Sequence, residues 1–195
     1  PMIYFLILLF ISLIFSSSFS YNEFTDTAKL RNKISPLSNF ANGLGMYLCL
    51  LLIVLLQAAL VLVLGNIALN LGLTLSTVCQ ILLVTLIILS IFIILGMMIG
   101  RLFKSSLVVL IVAIAVSIVI FLYSNIINPA ELMTPLAQLI TTSNPFVLGS
   151  MALTKILLFN LPLGIALSGF TIVFVELAVV VGLLSLLMFI QKKRL

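Results

Sequence analysis

The chain has no histidine and no tryptophan, and only 7% of its 195 residues are charged. A soluble globule carries about 25% charged residues, so this chain cannot build a water-facing surface around a core. Without histidine, imidazole-based metal binding and acid–base chemistry are excluded. There are two cysteines, Cys49 and Cys79, each inside an apolar run. In that setting a thiol reads as a small apolar filler rather than half of a redox or metal pair. No G-x-x-x-x-G-K-[ST] string occurs, so the chain does not bind nucleotide through a P-loop. Acidic residues are scarcer than basic ones, four against nine, for a net charge of +5. The basic residues are thinly spread at the ends of apolar runs. That fits the positive-inside bias of membrane proteins and not a nucleic-acid surface, so no nucleic-acid partner is expected.

What is present is hydrocarbon. Hydrophobic residues make up 64% of the sequence. A span needs about 20 apolar residues to cross the bilayer core. Five stretches qualify, at about 1–20, 45–66, 76–100, 105–124 and 165–190. The predicted fold is all-α, a polytopic membrane helix bundle in one domain over residues 1–195. It has five transmembrane helices and two short outer helices, re-entrant or interfacial. Pro1-Met2 is followed at once by apolar residues, with no basic leader and no A-x-A-like cleavage site, which argues against a signal peptide.

Charge sets the orientation. With the polar interval 21–45 inside, Lys29, Arg31, Lys33, Arg101, Lys104, Lys192, Lys193 and Arg194 are all cytoplasmic, and only Lys155 is outside. The inverted arrangement reverses that ratio, so the first is predicted. Residue 1 is then outside and the C-terminus cytoplasmic, in a multi-pass protein of the plasma membrane. A chain that starts outside without a signal sequence is expected to lack an upstream span, as a fragment or a split protein. A short native start is the alternative.

Two polar intervals stand out. The stretch 21–44 holds Glu23, Asp26, Lys29, Arg31 and Lys33. A short helix from Phe24 to Lys33 would place acid first and base last, as the helix dipole favours. Ser35-Pro36 ends it, and Asn42-Gly43 reads as a second break. The stretch reads either as a docking element for a soluble partner or as a solvated loop on anionic lipid heads. The second interval, 125–163, contains Asn128-Pro129 followed by Glu131, and then Asn144-Pro145. Each Asn-Pro pair is a helix-start signature. A helix from Pro129 would carry Leu132, Leu136, Leu139 and Ile140 on one face. A second would run from Asn144 to about Phe159. Such backbone at membrane depth needs a protein neighbour or a wet cavity; an ordinary amphipathic outer loop is the alternative.

Inside the spans, Glu176 is the one acid at membrane depth. By default it marks a pathway, a proton site or a buried hydrogen bond. Gln57 and Gln80 read as interhelical hydrogen-bond glue. Gly96-x-x-x-Gly100 permits close helix packing.

The order of these features resembles the permease subunit of ABC-2 type exporters. In that family a Pro-opened span leads into a cytoplasmic segment like E-R-E-x-G-T-x-x-x-L, then Pro-aliphatic-Ser, then Gly-Lys. Here Pro1 opens the first span and Ser16-Ser17-Ser18 lies near its inner end. Glu23 and Leu30 fall on the last acid and the Leu of the motif. Pro36-Leu37-Ser38 matches Pro-aliphatic-Ser, and Gly45 falls on the Gly. Tyr21-Asn22 stands in place of Glu-Arg, Thr25-Asp26 in place of Gly-Thr, and Met46 in place of Lys. Pro129 to Pro135 resembles the family's paired-proline outer signature. The resemblance covers nearly the whole chain and maps it onto the second to sixth of six spans.

The resemblance implies a permease that binds no cofactor and is no enzyme. ATP and Mg would sit on a cytoplasmic ABC ATPase subunit. A second permease half, identical or not, would complete the pathway within the bilayer. Glu23, Asp26, Leu30, Arg31 and Pro36 would couple to the ATPase. Pro129, Glu131, Pro135, Asn144 and Pro145 would form the outer gate, and Glu176, Gln57 and Gln80 the polar points at membrane depth. Two other readings remain at this point: a membrane scaffold that recruits a soluble partner without transport, and a proton-coupled carrier centred on Glu176.

Overall fold

A computed structural model of the chain describes residues 1–25, 39–70, 72–124 and 133–193. In these residues all regular structure is helical: α1 (Met2–Thr25), α2 (Asn39–Leu69), α3 (Leu75–Leu102), α4 (Ser106–Leu122), α5 (Pro135–Ser143), α6 (Pro145–Phe159), α7 (Leu163–Ala166) and α8 (Phe170–Lys193). Helix is what an apolar environment demands. Within a helix, backbone N–H groups pair with carbonyls of the same segment, which is what hydrocarbon requires. Four helices, α1, α2, α3 and α8, are long and apolar enough to cross a membrane. The fourth predicted span is α4. Its 17 residues sit at the lower end of the spanning range of about 17–25.

Several boundaries differ from those read in the sequence. Residues 21–25 belong to α1, and α2 starts at Asn39, so both flanks of the expected 21–44 loop are helical. Asn42-Gly43 is not a break. A Cβ on Gly43 would run into the Met188 side chain, so this glycine serves close packing rather than a turn. The last span starts at Phe170, after a turn at 167–169 that follows α7. The α2–α3 hairpin turns through left-handed backbone at Asn70 (φ 48°) and Gly72 (φ 60°). Gly72 is free to adopt that conformation because it has no Cβ. Thr74 then caps α3 by accepting from the Thr77 amide at 3.3 Å.

The bundle is built on α3. It packs against α1, α2, α4, α6 and α8, and its side chains from Ile88 to Ile94 are all buried. Hydrocarbon gives helices no hydrophobic reason to associate, so packing and interhelical hydrogen bonds must hold them. The α1–α3 seam shows how. Tyr4 Oη and Thr85 Oγ1 lie 3.2 Å apart, and Ser20 Oγ donates to the Met97 carbonyl at 3.1 Å. The pairs are separated by 81 and 77 residues, so the offset barely changes along the seam and the two helices run parallel. Between them the backbones come close. A Cβ on Gly96 would meet Ser16 Oγ and stand 2.9 Å from the Leu13 carbonyl oxygen. One on Gly100 would meet the Ser17 carbonyl oxygen and stand 2.8 Å from Ser20 Cβ. The G-x-x-x-G motif is thus used inside the chain, against the serine face of α1.

Candidate functional site

One end of the bundle gathers the polar groups. Arg101 lies in the last turn of α3, where a cation complements the helix dipole. It is only 9% exposed, unusual for an arginine without close packing around it. Its Cζ sits 4.3 Å from the ring centroid of Phe24, at the end of α1. A Cβ on Gly43 of α2 would lie 3.5 Å from Arg101 Nη2, and Met188 of α8 packs on the same glycine. One guanidinium therefore marks the point where α1, α2, α3 and α8 converge. Beside it, Tyr21 Oη donates to the Lys104 carbonyl at 3.2 Å, tying α1 to the turn after α3. Stacking of a desolvated guanidinium on an aromatic face contributes about 2 kcal/mol. Glu23 stands on the last turn of α1 at this same end. Asp26, Leu30, Arg31 and Pro36 lie outside the described residues.

At membrane depth, Gln57 of α2 and Glu176 of α8 are both half-buried. Gln57 Oε1 and Glu176 Oε2 are buried without a hydrogen-bond partner among the described residues. Counted from the contact of Gly43 with Met188, Gln57 lies fourteen residues along α2 and Glu176 twelve residues back along α8. At 1.5 Å per residue that is about 21 and about 18 Å, so the two groups share a depth. Gln80, near the start of α3, is half-buried. Neither glutamine bonds across helices in the described residues. The glue is supplied by hydroxyls instead, including Tyr47, which donates to Ser90 Oγ at 2.8 Å.

The opposite end carries α5 and α6. Pro135 is the first residue of α5 and Thr134 its cap, so this helix starts at the second proline of the expected signature. Pro129 and Glu131 fall outside the described residues. Leu136, Leu139 and Ile140 are all exposed, an apolar face without a neighbour among the described residues. Asn144 is 6% exposed and works in two directions. Its Oδ1 accepts from the Phe146 amide at 3.0 Å, capping α6, with Pro145 in the first turn. Its Nδ2 donates to the Ile120 and Tyr123 carbonyls at 2.7 and 3.0 Å, capping the far end of α4. From there α6 turns inward. A Cβ on Gly149 would lie 3.0 Å from Phe5 and 3.1 Å from Ile88 at the middle of α3. The helix ends at left-handed Asn160. Lys155, the one cation assigned to this side, reaches Ser168 Oγ at 3.4 Å.

The Asn-Pro string marks Asn144 as a cap but carries no sign of its second set of partners, which lie 21 and 24 residues away. In the sequence Arg101 is one basic residue among nine. The only sequence signal for its burial was an arginine directly after a G-x-x-x-G motif.

A family model described as ABC-2 family transporter protein matches residues 1–187. No curated protein and no solved structure matches.

Proposed function

The chain belongs to the ABC-2 transporter family, and from that premise we propose that this membrane permease serves an ATP-driven exporter. It is a multi-pass helical membrane protein. In the proposed cycle its basic end faces the cytoplasm of a cell whose plasma membrane it spans. The segment flanked by α1 and α2 docks a separate ABC ATPase, which binds ATP and Mg and hydrolyses the nucleotide. Glu23, Asp26, Leu30, Arg31 and Pro36 form the coupling surface. A second permease half completes the pathway. Gln57, Gln80 and Glu176 are its polar points, and the α5–α6 region with Pro129, Glu131, Pro135, Asn144 and Pro145 is the outer gate. The substrate is amphipathic or hydrophobic. The chain itself carries no catalytic group or cofactor.

The observation that carries this reading is the convergence of α1, α2, α3 and α8 at one end, beside the interval that separates α1 from α2. A push there reaches α3, on which the other spans pack. The shift between states requires the ATPase to bind one of them more tightly.

The test is a pull-down of the full-length gene product from solubilised membranes, wild type against Glu23→Ala/Leu30→Ala, with ATP hydrolysis assayed in the eluate. The expected outcome is an ATPase that co-purifies with wild type and is lost from the double variant. A wild-type chain that purifies without any ATPase would favour a non-transporting scaffold.

A further inference from the structure

We infer that Arg101 is a positioning residue that clamps both flanks of the ATPase-docking segment to α3. The inference rests on the docking proposed above. Phe24 is the last residue but one of α1, and Gly43 is the fifth residue of α2. They bracket the segment: the Arg101 guanidinium carbon lies over the Phe24 ring, and its Nη2 lies 3.5 Å from where a Gly43 Cβ would be. Arg101 sets its Cζ over the Phe24 ring and its Nη2 beside Gly43, where the missing Cβ leaves room for the Met188 side chain. A planar fork suits this double contact, and a flexible ammonium does not reproduce it. Tyr21, bonded to the Lys104 carbonyl, adds a second tie between the end of α1 and α3's own continuation. Met188 of α8 packs on the same glycine.

The consequence is mechanical. A docking segment tethered by two free helix ends could tilt without moving the bundle. With both flanks held on one residue of α3, displacement of the segment becomes displacement of the central helix. Arg101 then does not contact the ATPase; it sets how much of each hydrolysis event reaches the pathway.

The experiment uses the full-length protein with Cys49 and Cys79 replaced by serine and spin labels at Asn22 and Leu44, both exposed. The distance between the labels is measured in lipid nanodiscs without the ATPase. Wild type is expected to give a single narrow distance. Arg101→Met, which keeps an apolar stem and removes the fork, is expected to lose it. Phe24→Leu, a milder change at a half-buried position, is expected to broaden it as well. With the ATPase present, the amount bound should not change in Arg101→Met, while transport per ATP hydrolysed falls about thirtyfold, the scale of one desolvated cation–π contact. A narrow distance retained in both variants would overturn the clamp, as would an unchanged transport-to-hydrolysis ratio. If Arg101→Met fails to fold, Phe24→Leu decides by the same two readouts. If wild type binds no ATPase, the docking reading fails, and the label distances still decide whether the clamp exists.

Discussion

The α1–α3 seam and the α2–α8 rim are built in opposite ways. In the seam, glycines face serines, backbones touch, and hydroxyls cross from helix to helix. On the rim, α2 turns Leu52, Leu56, Leu60 and Leu64 outward, and α8 turns out Phe174, Val175, Leu186 and Phe189. The core stretch of α3 is 67% buried and that of α8 only 11%, so α3 is fixed by its neighbours and α8 is held on one narrow side. Gln57 and Glu176, whose buried oxygens have no partner among the described residues, lie on the two rim helices and not in the seam. Close packing of small residues makes a rigid unit. Bulky outward side chains leave helices that lipid, another chain or a moving pathway can face. A transporter needs both, one part to carry force and one to change its neighbours.

The comparison breaks most severely at Gly100. Gly100→Ala puts a Cβ against the Ser17 carbonyl oxygen; overpacking of this kind costs about 1–3 kcal/mol. Gly65→Ala on α2, where a Cβ meets nothing within 4 Å, should instead stabilise by about 0.5–1 kcal/mol through helix propensity. Detergent-unfolding titrations of the two variants should therefore move in opposite directions. If both are neutral, the seam is not close-packed.

A second variant pair sharpens the opposite end of the molecule. Asn144→Ala removes the α6 cap and leaves two α4 carbonyls without their donor. The cap alone contributes about 0.5–2 kcal/mol. Asn144→Asp keeps the cap acceptor but turns an oxygen toward the Ile120 and Tyr123 carbonyls, so its loss should be at least as large as that of Asn144→Ala in the same titration. A smaller loss in Asn144→Asp would show that the cap, and not the bonds to α4, carries the effect.

Smaller effects separate seam from rim further. Ser20→Ala removes one interhelical bond, worth about 0.6 kcal/mol by the average for such contacts. Glu176→Gln removes a carboxyl whose buried oxygen has no partner among the described residues, so it breaks no bond there and stability should not fall. Transport by the reconstituted complex should nevertheless fall. A large loss of stability in Glu176→Gln would assign that residue to structure rather than to the pathway.

Much of the fold was legible because membrane helices announce themselves by long apolar runs. The helical class, the short α2–α3 and α3–α4 connections, and the helix start at Asn144-Pro145 followed from local residue chemistry. Helix ends were less legible. Polar residues at 21–25 and 39–44 looked like loop, yet a helix continues past the hydrocarbon wherever its backbone bonds remain favourable. Gly43 looked like a breaker because a glycine kept for close approach has the same letter as one kept for a turn. Gln57 and Gln80 looked like glue because amides bond well in hydrocarbon, whereas among the described residues serine and tyrosine hydroxyls, common enough to escape notice, make the interhelical bonds. The contacts of Arg101 and the second role of Asn144 depend on helices that meet only in three dimensions.

The docking claim is tested most directly by placing a photo-reactive benzoylphenylalanine at Asn22, at the exposed end of α1, and at Leu136, exposed on α5 at the far end. After irradiation of native membranes, the adducts are identified by mass. Asn22 is expected to capture a protein carrying a G-x-x-x-x-G-K-[ST] motif, and Leu136 is not. Capture of that ATPase at Leu136, or at neither position, would contradict the docking claim.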